Sequence, residues 1–344
     1  MVYRTKNCSL KMIKQYVKDL RLEFKGYNGN KFGKDLFAGL TVTAVALPLA
    51  LAFGVSSGAN AAAGLVTAII AGLIISLFSG ASYQISGPTG AMTAILFVVV
   101  TEYKLQGVFI AGVIAGLILL ICGFLKLGKL VYCIPKPVVT GFTSGIAIII
   151  ILGQLDNILG MKLIGENSFE KIVYSINNSN SINLTTIVIT ICVILFMVFF
   201  PKKLNKYFPS SLAVIIICVI FNYIFNFNVP TIGEIPKTIF LENRLDFSNI
   251  DINMIKGLIT PAISIAALGM VESLLCGASA GNLKGEKMNA DRELVAQGIG
   301  NIIIPFFGGV PATAAIARTS VAIKSGGQTR LTGIIHAIGL IASM

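Results

Sequence analysis

The sequence predicts an all-α polytopic membrane protein, and three observations carry that reading. Of 344 residues, 55% are hydrophobic and only 12% charged, and the mean hydropathy of +0.84 lies far outside the composition of a soluble domain. Apolar runs of about 20 residues, enough to span a ~30 Å hydrocarbon core, alternate with basic connections. Finally, two of these runs are headed by helix-breaking, small and hydroxyl residues: Ser86-Gly87-Pro88-Thr89-Gly90-Ala91-Met92-Thr93, and a distorted echo at Gly308-Gly309-Val310-Pro311-Ala312-Thr313-Ala314-Ala315.

The net charge of +12 raises the question of nucleic acid. The bases lie between apolar spans, where they read as cytoplasmic loops, and no nucleic-acid partner is expected. Six cysteines, among them Cys8 and Cys133, are scattered without C-x-x-C spacing, so neither a disulfide framework nor a metal site is indicated. Two chance motifs are set aside. Gly54 to Gly58 matches G-x-S-x-G but ends a membrane helix, and Gly123 to Lys129 approaches a P-loop without its hydroxyl residue. An enzyme and a cofactor are not expected.

Taken in order, the chain opens with a lysine-rich segment that lacks the apolar core of a cleavable signal peptide. Within it Leu10, Ile13, Val17, Leu20 and Phe24 form one stripe and Lys11, Lys14, Lys18, Arg21 and Lys25 another. That pattern predicts a basic amphipathic helix for anionic lipid or for a soluble domain, the plain alternative being a solvated arm. Spans are predicted at about 36–55, 61–78, 106–124, 137–155, 184–200, 210–227 and 255–276, with a partly polar one at 294–307 and another from 331. The first third of 80–101 is too polar to face lipid and must be buried or line a cavity. Hydrophilic connections fill 156–183 and 228–254. Counting bases on alternate connections gives 20 on the side of the N-terminus and 6 on the other, so the N-terminus is expected in the cytoplasm of a plasma-membrane protein.

The internal repeat organises these spans. Gly39-Leu40-Thr41 before a proline-interrupted helix is echoed by Gly257-Leu258-Ile259-Thr260-Pro261, and Pro88 by Pro311, both at offsets of about 220 residues. An odd number of crossings between the copies inverts the second, an arrangement that places a substrate site at the midplane. Two broken helices starting there, the second from Pro311, would oppose their N–H ends across one anion. Thr89 and Thr313 add hydroxyls. Arg318, about two turns into the second helix, either attracts the anion or sits at the cytoplasmic lip. Glu272 is read as the only acid inside an apolar span. It suits a proton-coupling carboxyl, a Na⁺ ligand or a structural partner for Arg318. His336 is read as structural.

Asp35 to Val42, Ala46 to Gly54, Tyr83 to Ala91 and Ala315 to Thr319 together resemble the bacterial sulfate permease (SulP) family, kin of the SLC26 anion transporters. The resemblance runs from about residue 31 to the end. It implies a seven-plus-seven inverted repeat, similar to that of UraA, with core and gate domains and a cytoplasmic STAS domain after them. This chain then corresponds to the first ten helices and part of an eleventh. Its expected parts are an N-terminal tail (1–34), core helices (35–133), gate helices (134–254) and returning core helices (255–344). The resemblance points to Phe53, Thr89, Gly90, Ala91, Ala317 and Arg318 as substrate residues and to Glu272 as the coupling residue. Ala317 where relatives carry serine, and Leu49 where some carry glutamine, leave the anion open. The expected function is proton-coupled symport of sulfate or a dicarboxylate by alternating access, by a protein that is a homodimer when full length. The alternatives are Na⁺-dependent bicarbonate uptake and an uncoupled exchanger or channel.

Overall fold

A computed structural model of the chain describes residues 14–129, 136–161, 163, 168–201, 204, 210–226, 229, 237–246, 248 and 251–344. Cys8, Leu10, Lys11, Ile13 and Cys133 lie outside the described residues. The helices are α1 (14–23), α2 (Gly29–Ser56), α3 (Ala61–Phe78), α4 (Gly90–Phe124), α5 (Lys136–Gly153), α6 (Leu155–Leu159), α7 (Ser168–Asn177), α8 (Leu184–Phe199) and α9 (Ser210–Phe225). They continue with α10 (Ile252–Lys284), α11 (Ala290–Ile303), α12 (Ile316–Lys324) and α13 (Leu331–Ala342). Among the described residues α2, α3, α4 and α10 are long and apolar enough to cross a membrane.

Asparagine starts several of these helices. The side-chain oxygens of Asn28, Asn60 and Asn289 accept the amides of Lys31, Ala63 and Arg292 at 3.0, 2.7 and 3.1 Å, each satisfying a donor that a helix start leaves open. Pro48 and Pro261 lie inside α2 and α10, as the repeat predicts. The α4 stretch is two helices joined across a kink at Lys104, whose φ of 56° and ψ of −170° are not helical.

The chain forms two compact units, 1–139 with 234–344, and 140–233. In the first, α4 packs on α10 and α11, while α2, α3 and α13 pack on one another. Small residues permit the closest approaches. A Cβ on Gly64 would stand 2.0 Å from the carbonyl oxygen of Ala50 and 2.7 Å from the Cα of Gly54, so α2 and α3 cross backbone to backbone. In the second unit α8 packs on α6 and α9. The connection read as hydrophilic at 156–183 contains α7, whose Phe169, Ile172, Val173 and Ile176 recur at helical spacing. Its many polar residues conceal that period.

Helix α1 is not a free solvated arm, because it packs on the chain's own first unit, while Lys14, Lys18 and Arg21 stay exposed. Tyr16 donates to the Leu77 carbonyl at 2.7 Å, Asp19 pairs with Arg292 at 2.5 Å, and Glu23 accepts Nε, Nη2 and the main-chain N–H of Arg330 at 2.9, 2.8 and 2.7 Å. The acids of this basic helix, rather than its lysines, make the contact. Just after it, burial and the neighbouring Asp35 carboxylate push the Tyr27 phenol up to about 12.

Candidate functional site

Two prolines prepare the site, because the residue before a proline is driven into extended conformations. Gly87 precedes Pro88 and Val310 precedes Pro311. Ser86–Gly87 and Thr313–Ala314 form a two-stranded antiparallel sheet, β1 and β2, pairing Ser86 with Ala314 and Gly87 with Thr313. The Ala315 amide extends it to the Ile85 carbonyl at 2.9 Å, and the Ile85 amide donates to Thr319 Oγ1 at 3.1 Å. The starts of α4 and α12 are thereby tied together.

The second broken helix begins at Ile316 rather than Pro311, because side chains hold the preceding segment extended. The Val310 amide donates to Thr67 Oγ1 at 2.7 Å, the Ala312 amide to Asn301 Oδ1 at 2.8 Å, and the Ala314 amide to Ser273 Oγ at 3.2 Å. Arg318 is therefore in the first turn of α12, not two turns inside it. Neither helix start has a side-chain cap: Thr89 makes no capping bond and Ala315 has no polar side chain. First-turn amides therefore stay open to a ligand.

Thr89 does not cap because its hydroxyl is engaged elsewhere. It donates to Glu272 Oε2 at 2.9 Å, the Thr313 hydroxyl donates to the same oxygen at 2.6 Å, and the two hydroxyls lie 3.1 Å apart. A carboxylate from α10 thus takes one hydroxyl from the residue that starts α4 and one from β2. Both threonine hydroxyls therefore have Glu272 as an acceptor.

Arg318 is 1% exposed. Its Nη2 donates to the Pro88 carbonyl, while Nη1 is buried without a partner. The guanidinium crosses Gly87 so closely that a Cβ there would lie 2.1 Å from Nη1. Among the described residues no ion pair joins Arg318 to Glu272, so the structural-pair alternative does not hold. Gly90 and Ala91 are buried at the start of α4, beside Thr89. Ala317 is exposed in the first turn of α12, and Phe53 is half-buried in the last turn of α2. His336 is fully buried, and its main-chain oxygen accepts the Thr43 hydroxyl at 3.1 Å.

Glu272 is not the only buried acid. Glu293, on α11, is 0% exposed and accepts Ser79 Oγ, the Gly80 amide and Gln297 Nε2 at 2.6, 3.0 and 2.9 Å. Gln297 Nε2 also reaches Ser86 Oγ at 3.0 Å. Sequence reasoning missed Glu293, Gln297 and Asn301, although their spacing of four puts them on one stripe of this partly polar helix.

The model of the "Sulfate permease family" matches residues 32–344. YvdB of Bacillus subtilis, whose name proposes sulfate transport, is 41% identical over 92% of this chain and 60% of its own length. The bicarbonate transporter BicA of Picosynechococcus is 34% identical over 93% of this chain and 58% of its own. The solved transmembrane domain of a cyanobacterial BicA superposes with a TM-score of 0.83 at 32% identity, covering 92% of this chain and 83% of that one. The chain therefore spans 60% or less of the curated relatives' length.

Proposed function

Because the chain belongs to the sulfate permease family, as a multi-pass membrane protein of all-α fold, we propose that the full-length protein is a secondary transporter of a small oxyanion. The observation that carries this is the junction of two uncapped helix starts with the unpartnered Nη1 of buried Arg318. Amide dipoles and one guanidinium edge favour a compact anion, and a planar oxyanion matches a guanidinium best. Bicarbonate is placed ahead of sulfate or a dicarboxylate, on that planarity and on the names of the BicA relatives. The YvdB name supports sulfate.

The ligand contacts in this reading are the amides of Gly90 and Ala91 with Arg318, and Ala317 and Phe53 close the pocket from their exposed and half-buried positions. Glu272, with the Thr89 and Thr313 hydroxyls, offers clustered oxygens for a coupling cation, Na⁺ or H⁺. Alternating access moves the 35–133 and 255–344 helices as a core against the 134–254 helices as a gate, within a seven-plus-seven repeat whose last helices lie beyond this chain. The charge distribution supports a cytoplasmic N-terminus in the plasma membrane, and the full-length protein is assigned as a homodimer.

The test is uptake of bicarbonate, sulfate, succinate and chloride by proteoliposomes of the full-length protein, under separate Na⁺ and H⁺ gradients. Gradient-driven bicarbonate accumulation is the expected result. Sulfate accumulation with none of bicarbonate overturns the substrate choice, and flux without a gradient requirement overturns coupling.

A further inference from the structure

Asn301 lies on α11, away from the helix starts that make the site. Its side-chain amide is 2% exposed and grips one peptide unit on both sides: Oδ1 accepts the Ala312 amide at 2.8 Å and Nδ2 donates to the Ala312 carbonyl at 2.9 Å. Those are the two bonds that a residue in a neighbouring strand would exchange with Ala312. Nδ2 also donates to the Gln297 carbonyl at 2.9 Å, which fixes the side chain to its own helix. We propose that Asn301 is the positioning residue for the second half of the site, setting the register of β2 on β1 and with it the distance between the two helix starts.

The surrounding structure explains why a positioning residue is needed. A sheet of two residues per strand does not hold its register by itself, and a slip by one residue would send Thr313 away from Glu272 and turn the start of α12. β1 lies on one side of the strand. On the approach to it, Thr67 exchanges bonds with both polar groups of Val310, at 2.7 and 3.1 Å, and Asn301 does the same for Ala312. Thr67 uses a hydroxyl that also serves the Ala63 carbonyl at 2.6 Å, whereas Asn301 supplies a separate donor and acceptor. The same stripe of α11 reaches β1, through Gln297 and Ser86. One helix face therefore indexes both strands.

The inference rests on the anion-site reading above. In proteoliposomes of the full-length protein, Asn301→Ala is expected to raise the KM for radiolabelled bicarbonate about 10- to 100-fold, the scale on which ångström misplacements act, with a smaller change in maximal rate. Asn301→Asp, which fits the same space and keeps the acceptor for the Ala312 amide but sets a carboxylate oxygen against the Ala312 and Gln297 carbonyls, should raise KM at least as far as Ala. Leu294→Ala, which removes buried apolar volume from the same helix, should lower thermal stability and leave KM in place, separating positioning from packing. Wild-type-like KM in both Asn301 variants overturns the inference while the site reading stands. A KM shift in Leu294→Ala as large as in Asn301→Ala reduces Asn301 to a packing residue and also overturns it. Wild-type protein that carries no bicarbonate defeats the site reading itself, and this inference with it.

Discussion

At the level of single residues, Gly87 is small because the Arg318 guanidinium occupies the place of a side chain. A methyl group there would lie 2.1 Å from Nη1, and the arginine, being enclosed, has nowhere inexpensive to go. Gly87→Ala should therefore displace the guanidinium and raise the KM for the transported anion by about tenfold, about 1.4 kcal/mol of binding. An unchanged KM in uptake assays would show that Arg318 does not contact the anion. Helix breakers inside an apolar run and a lone intramembrane arginine are local signals, which is why the stretch at residue 86 and Arg318 were legible in the sequence. Asn301 and Glu293 were not, because a polar residue in a half-polar helix looks the same whether it faces a loop or a buried main chain. Only its tertiary neighbours decide. The Thr89 and Thr313 hydroxyls show the same limit: their chemistry was read correctly as donation, but the acceptor is Glu272.

Among the elements, the start of α12 shows how side chains override a strong local signal. Proline favours the first turn of a helix, and Pro311 was the natural place to begin one. Thr67, Asn301 and Ser273 instead take the amides of Val310, Ala312 and Ala314, and the helix waits until Ile316. Helix α1 is the reverse case. Its period was legible, but the basic stripe stays exposed and the contact with the first unit is made by Asp19 and Glu23. Replacing Glu23 with Gln leaves Arg330, whose side chain is 3% exposed, without its carboxylate, and breaking a buried pair costs on the order of 3 kcal/mol. Hydrogen exchange should then quicken across 14–23 while α3 and α13 stay protected. Unchanged exchange in that stretch would mean that Tyr16 and Asp19 suffice to dock the helix.

For the molecule as a whole, the starts of two distant segments, α4 and β2, meet at one carboxylate. Glu272 accepts a hydroxyl from the start of α4 and one from β2, and the proposed anion site lies at the helix starts beside those hydroxyls. In the proposed function, loading of the carboxylate with a cation and loading of the starts with an anion would be coupled through Thr89 and Thr313, and favourable coupling between sites is reciprocal. The measurement that tests this most directly compares wild type with Glu272→Gln in the full-length protein, recording anion binding at equilibrium and gradient-driven uptake side by side. The glutamine keeps an oxygen for the two threonines but carries no charge for a cation. Retained anion binding with the loss of accumulation under both Na⁺ and H⁺ gradients is the predicted result. Accumulation at the wild-type level would contradict the account, because coupling would then run through some other group.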